Sequence, residues 1–327
     1  MGETEVLLWH WFAFAGLVIF LLVLDLKVFH KTDREPSLKE STWFTIFWIA
    51  VGLSFNAFIW WWAGPEPGVK FLTGYVVEKA LSMDNIFVFV MIFKFFSIPL
   101  MYQYRVLFWG ILGAVVMRLV FVLGGVALFE RFEWVLPLFG LFLLYSAYKL
   151  IRHSGAEIHP EKNIVLKTAR RFFRVTKGDH HEHGHAFFVR QNGLLYITPM
   201  FLVLLVIESS DVIFAIDSVP AIIGITSDRF LAFTSNVFAI LGLRALYFLL
   251  AGVIDMFKYL HYGLAGVLGF IGLKMMGDYI GKVFYHHEEH LITPGMSLAV
   301  IALILGVSIV ASIVIASREE RNEDTEE

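Results

Sequence analysis

Nine apolar stretches, each long enough to cross a bilayer, constrain this chain more than any other feature. They fall at approximately 6–24, 42–62, 70–97, 104–128, 134–151, 195–225, 230–254, 261–281 and 294–316. A hydrocarbon core about 30 Å thick takes roughly 20 mostly apolar helical residues to span. Lipid offers no partner to a bare N–H or C=O, so only helices and closed barrels are admissible. The Phe, Leu and Val runs lack the two-residue alternation of barrel strands. The expected fold is an all-α polytopic membrane protein of nine transmembrane helices. At 58% hydrophobic and 17% charged residues, with a mean hydropathy of +0.71, the chain lies far outside the range of a soluble domain.

Orientation follows from the basic residues. Eighteen Lys and Arg fall on one side of the nine stretches, against only Lys70, Arg131, Arg229 and Lys282 on the other. The positive side is cytoplasmic, which puts the N-terminus outside and the C-terminus inside a bacterial inner membrane. Met1 to Glu5 is acidic and leads into a span without a small-residue cleavage site, unlike a signal peptide. The net charge of −3 forms no nucleic-acid footprint, and the absence of cysteine excludes disulfides and thiolate chemistry.

Two of the stretches carry clustered acids where charge is costly. The first holds Glu78, Lys79, Asp84 and Asn85; the second holds Glu208, Asp211, Asp217 and Ser218. A charged side chain near the bilayer centre costs about 2.5 kcal/mol or more, so these acids call for cations, partners or water. Aligning Glu78 with Asp211 puts Asp84 on Asp217 and Asn85 on Ser218, and further along Arg118 meets Arg244 and Lys149 meets Lys274. That is an internal duplication of a three-helix unit, residues 70–151 and 195–281. Three spans per unit invert the second copy, an arrangement that places an ion site at the midplane between the copies in secondary transporters. Residues 1–69 form an N-terminal two-helix segment, 152–194 a cytosolic basic and His-containing loop, and 282–327 an outer His loop, a last helix and an acidic tail that reads as disordered. Within the cytosolic loop, residues 164–175 read either as a basic amphipathic helix on the inner leaflet or as a solvated loop.

Oxygen-only donors favour hard divalent cations such as Mg²⁺, Ca²⁺ or Mn²⁺. Met83 either adds a softer sulfur ligand or simply packs. Six helical positions rise about 9 Å and rotate off one face, so Glu78 and Asp84 share an ion only if the helix breaks; otherwise the acids are successive stations. Pro220 removes a helix hydrogen bond, which either frees a carbonyl for the site or is a tolerated kink. Arg118, Arg244, Lys79 and Lys274 are read as basic partners that stabilise the empty site by ion pairing. Exchange against protons is compatible with crowded carboxylates. Two tracts, His180, His181, His183, His185 and His286, His287, His290, are either auxiliary metal collectors or solvated loop residues.

The chain resembles the TerC family of integral membrane proteins, in its Alx-like manganese-exporter branch. The resemblance rests on the segments beginning at Phe71, Phe188, Glu208 and Thr234, read to Val88, Pro199, Ala221 and Phe248, and extends over nearly all nine spans. It implies Mn²⁺ efflux, with Glu78, Asp84, Glu208, Asp211 and Asp217 at the matching acidic positions, and links to tellurite resistance and to metal supply for secreted enzymes. The His tracts do not belong to that pattern and leave the metal open. The expected partners are membrane lipids and a divalent cation substrate, with no organic cofactor and no enzymatic activity. A rival reading makes the chain a membrane scaffold whose buried acids pair with Arg118 and Arg244 and whose loop 152–192 recruits partners.

Overall fold

The computed structural model describes residues 6–29, 36–132, 134–152, 163–176, 186–191, 193–251, 260–285 and 291–326. Helices α1 (Leu8–Phe29), α2 (Leu38–Ala63), α3 (Pro65–Phe95), α4 (Leu100–Arg131) and α5 (Val135–Arg152) come first. A short helix α6 (Ile164–Phe172) and a hairpin of β1 (Phe188–Gln191) and β2 (Leu194–Ile197) follow. The chain continues with α7 (Pro199–Ile223), α8 (Arg229–Leu241), α9 (Leu243–Leu250), α10 (Leu260–Tyr285) and α11 (Pro294–Glu326). Among the described residues, seven helices are long and apolar enough to cross a membrane, and α8 with α9 makes an eighth when taken as one bent span. The acid-bearing α3, 31 residues long, falls outside that apolar set.

Local chemistry explains the boundaries. Ser37 and Glu40 close a capping box at the start of α2. Gly64 alone joins α2 to α3, at φ +98° and ψ −179°, a backbone conformation essentially reserved for glycine. Pro65 then supplies a preset first helical residue. The stretch expected to be helical from 195 begins as helix only at Pro199. Thr198 precedes a proline and is extended, so residues 194–197 pair as a strand instead. Gly193, at φ +79°, closes that hairpin after the dipeptide signal Asn192-Gly193. The span expected at 230–254 is broken at Gly242, where α8 and α9 meet at 41°. The C-terminal segment expected to be disordered carries α11 on to Glu326; it is rich in Glu and Arg, good helix formers, and has no Gly or Pro beyond Gly306.

α8 lies at the centre, with every residue from Phe230 to Leu241 buried. A helix apolar all round belongs in a core, and its exceptions, Thr234, Ser235 and Asn236, are fully enclosed. Outside it, Phe12, Trp61, Val120 and Leu303 are largely exposed, the surface expected of lipid-facing helices.

Glycines fix how the helices run. Gly110 faces Ile207, Gly113 faces the Glu208 carboxylate and Gly125 faces Val219, so α4 and α7 are parallel and close. Gly74 lies on Ser235 and Lys79 reaches Ala239, so α3 and α8 are parallel too. Gly140 meets Gly272 and Met276 while Ala147 meets Gly269, which makes α5 and α10 antiparallel. Small residues at such crossings let backbones approach in the absence of a hydrophobic drive between helices in lipid.

Candidate metal pathway

α3 is continuous from Glu78 to Asp84, and α7 is continuous from Asp211 to Asp217. Neither pair can therefore grip one ion from a single helix, and the acids sort into two levels of engagement, one ion-paired and one not.

The first level is locked. Arg118 of α4, with 0% of its surface exposed, pairs with Glu78 and donates from Nη1 to Ser218 Oγ at 2.8 Å and to Asn236 Oδ1 at 3.2 Å. Its Nη2 lies 3.6 Å from Asp211 Oδ1. Asn236 closes the ring by donating Nδ2 to Glu78 Oε2 at 2.9 Å. One guanidinium thus sits between an acid of α3 and an acid of α7, with α4 and α8 holding it in place. Two carboxylates and one cation leave a single excess negative charge. Asp211 Oδ2 and Ser82 Oγ are buried without a hydrogen-bond partner.

The second level is open. Asp84 and Asp217 are half-buried and lie within electrostatic reach of each other. Ser146 of α5 donates to Asp217 Oδ1 at 2.9 Å, and Lys149, one turn further along α5, acts on Asp217 through its field. Asn85 is buried beside this level in sequence. Glu208 lies one turn before Asp211 on α7, feels the charge of Asp211, and rests its carboxylate where Gly113 leaves room for it. The donors are carboxylate and hydroxyl oxygens, a set suited to hard divalent ions. Among the described residues, no group of three or more His, Asp or Glu converges on one point. The carboxylates of Asp84 and Asp217 alone are therefore too few to complete the oxygen shell of a divalent ion.

Of the four bases expected beside the central acids, only Arg118 is there. Arg244 forms its ion pair with Asp25 of α1, both almost fully buried, because the break at Gly242 turns α9 toward the N-terminal helices. Lys79 donates to the Ala239 carbonyl at 3.0 Å, and Lys274 donates to the Gly224 carbonyl at 3.2 Å. Both lysines thus serve the C-terminal ends of helices, α8 and α7, where orphan carbonyls attract cations. Pro220 stays inside α7, which ends three residues later at Ile223. His180, His181, His183, His185, His286, His287 and His290 lie outside the described residues.

Three participants escape the sequence reading. Asp25 lies one residue past the first stretch as drawn. Asn236 sits in the polar triplet Thr234-Ser235-Asn236, conspicuous inside an otherwise apolar segment. Ser146 sits between the hydroxyl-bearing Tyr145 and Tyr148, and nothing in the sequence of α5 singles it out.

The family described as integral membrane protein TerC matches residues 63–320. The chain belongs to the TerC family. An uncharacterized membrane protein of Myxococcus xanthus is 45% identical over 305 residues, 93% of this chain and 92% of its own length. TerC relatives bearing the name Alx, proposed as membrane-bound redox modulators, include one from Salmonella typhi, 41% identical over 91% of this chain and 93% of its own. Another, from Escherichia coli K12, is 44% identical over 81% of this chain and 85% of its own. No solved structure matches. The TerC match begins at the turn into α3 and takes in every acid of both levels, whereas α1 with Asp25 lies outside it.

Proposed function

We propose that this protein exports a divalent cation, Mn²⁺ foremost, outward across the inner membrane through nine spans, two of whose three-helix units are inverted copies meeting at Asp84 and Asp217. The reading is carried by one observation: these two carboxylates, at aligned positions of α3 and α7, lie within electrostatic reach of each other, and among the described residues neither forms an ion pair with an arginine. The directions of the helices support the inverted repeat. A two-fold axis in the membrane plane exchanges α3 with α7, α4 with α8–α9 and α5 with α10. It demands that parallel α4–α7 be matched by parallel α3–α8 and that α5–α10 be antiparallel, as the glycine contacts have it. Glu208 and Asp211 face the cytosolic side of Asp217 in this orientation, and Glu78 the outer side of Asp84.

Two like charges in a poorly solvated site repel, and a bound divalent ion removes that repulsion, as protons do on the return step. The redox name carried by relatives is compatible with such traffic. In a chain without cysteine, a redox role runs through metal content and not through thiol exchange.

Purified protein in proteoliposomes loaded with a Mn²⁺-quenched dye tests the proposal. Asp84→Ala combined with Asp217→Ala brings flux to background in a folded protein. Flux equal to the unaltered protein refutes it. The scaffold reading draws on the locked ion pairs and predicts instead that Mn²⁺ flux is absent from the unaltered protein.

A further inference from the structure

α6 presents three distinct arcs. Leu166 and Ala169 are buried on the side that packs against α7. Continuing around the helix at about 100° per residue, Ile164, Val165 and Phe172 extend the apolar arc beyond the protein, with Ile164 79% and Phe172 75% exposed. The remaining arc holds Lys167, Arg170 and Arg171, all exposed. The orientation is fixed, because Asn163 accepts from Val165 N and Leu166 N while donating Nδ2 to Ser209 Oγ at 2.9 Å. The segment after α6 is stitched to the hairpin: Thr176 N donates to the Ile197 carbonyl and Ile197 N to the Arg174 carbonyl. The hairpin adds exposed Leu195 paired across from exposed Arg190.

We infer that α6 and the hairpin form a docking platform for an anionic lipid surface. The apolar arc is twice what the contact with α7 uses, and its outer half ends in bulky side chains with a basic border, the pattern of a helix lying in the headgroup plane. The platform leads directly into α7 and lies on the side of the membrane where the basic residues collect, so its neighbour is the leaflet itself. Each base near an anionic surface adds roughly fivefold to the partition constant. The hydrogen bond from Asn163 ends on Ser209, the neighbour of Glu208, so a docked α6 holds α7 at the inner approach to the acids. The inference rests on the proposed orientation only for which leaflet is met.

The chain lacks cysteine, so Phe172→Cys in the full-length protein takes a single fluorescent label. Vesicles of phosphatidylcholine alone and with added phosphatidylglycerol, each with brominated acyl chains, report contact by quenching, independently of metal flux. Docking predicts strong bromolipid quenching that deepens with phosphatidylglycerol. It also predicts a loss of about a hundredfold in the docking equilibrium for K167Q/R170Q/R171Q. Raised salt must weaken docking of the labelled parent in the same direction, a measurement that needs no triple variant to fold. A label reached by aqueous iodide but not by bromolipid overturns the inference, as does quenching indifferent to phosphatidylglycerol and salt. Disulfide cross-linking between two copies at this position, in place of lipid contact, also overturns it. Docking without Mn²⁺ flux would sink the transport proposal and leave this one standing.

Discussion

Removing Arg118 tests whether the locked level is what its geometry says. Arg118→Met keeps the length and apolar stem of the side chain but strands Glu78 and Asp211, 2% and 3% exposed, without their cation. At the 3.6 Å separation from Asp211, an effective dielectric of 20 gives a gross attraction of about 5 kcal/mol, and the contact with Glu78 is tighter still. Because desolvation already offsets much of that attraction, the measurable loss is that of breaking a buried pair, about 3–5 kcal/mol. The triple variant E78Q/R118Q/D211N removes every formal charge while leaving amides to serve Asn236 and Ser218. Replacing a whole buried ionic group is far milder than orphaning part of it, so the triple variant should return to within about 2 kcal/mol of the parent.

Tryptophan fluorescence during heating in lipid nanodiscs reads both variants at one scan rate, since membrane proteins rarely unfold reversibly. At about 2 °C per kcal/mol for a chain this large, Arg118→Met lowers the apparent midpoint by roughly 6–10 °C. The triple variant should recover most of that drop. If Arg118→Met melts with the parent, or if the triple variant is no better than the single one, the guanidinium is not holding two buried carboxylates together.

Three further outcomes follow from the packing. Asp25→Asn leaves Arg244, 2% exposed, without its counterion and should cost about 3 kcal/mol, largely recovered by D25N/R244Q, both read as thermal midpoints. Gly272→Ala brings a Cβ to 2.8 Å from the Gly140 carbonyl oxygen, a backbone atom that cannot step aside, so overpacking should cost about 1–3 kcal/mol; Gly295→Ala, with nothing within 4 Å, should be neutral in the same melt. Ser146→Ala removes the hydrogen bond to Asp217 and should weaken Mn²⁺ binding roughly fivefold in a titration, the equivalent of about 1 kcal/mol, while leaving the midpoint in place.

Most of the spans were legible because crossing lipid leaves a coarse mark, a run of about twenty mostly apolar residues, of which α3, carrying its own charges, falls short. The break at Gly242 left no such mark, since glycine is common within membrane helices and only the packing of Trp48 and Lys79 against this one shows the bend. The acids stood out in the sequence for the same reason as the spans, charge being rare in lipid. The assignment of bases was not. Spacing along the chain aligned Arg244 with Arg118, but which acid each arginine meets depends on which helices are neighbours. Arg244 turned out to face α1, a helix outside the repeat, and its partner Asp25 lay just past the drawn end of its span. Lys79, adjacent in sequence to Glu78, sits about 100° further round α3 and reaches α8 one turn beyond Asn236, at the Ala239 carbonyl instead of an acid.

That distribution of cations bears on the valence of the proposed substrate. In lipid, a buried charge is retained only if it is paired or used. Arg118 takes Glu78 and Asp211, Arg244 takes Asp25, and the ammonium groups of Lys79 and Lys274 go to helix-end carbonyls. Among the described site acids, Glu208, Asp84 and Asp217 remain without a bonded cation; of these, Asp84 and Asp217 lie within electrostatic reach of each other, supported by one hydroxyl and the field of Lys149. A monovalent ion there leaves one carboxylate uncompensated in a poorly solvated place, whereas a divalent ion neutralises both. Under the proposed function, exchange for two protons would restore the same charge balance, so that the site would empty without exposing a bare pair of anions to lipid. The locked arginine contributes by staying where it is: it offsets one of the two charges of Glu78 and Asp211, six positions away on each helix, and so lowers the negative charge that Asp84 and Asp217 would otherwise meet.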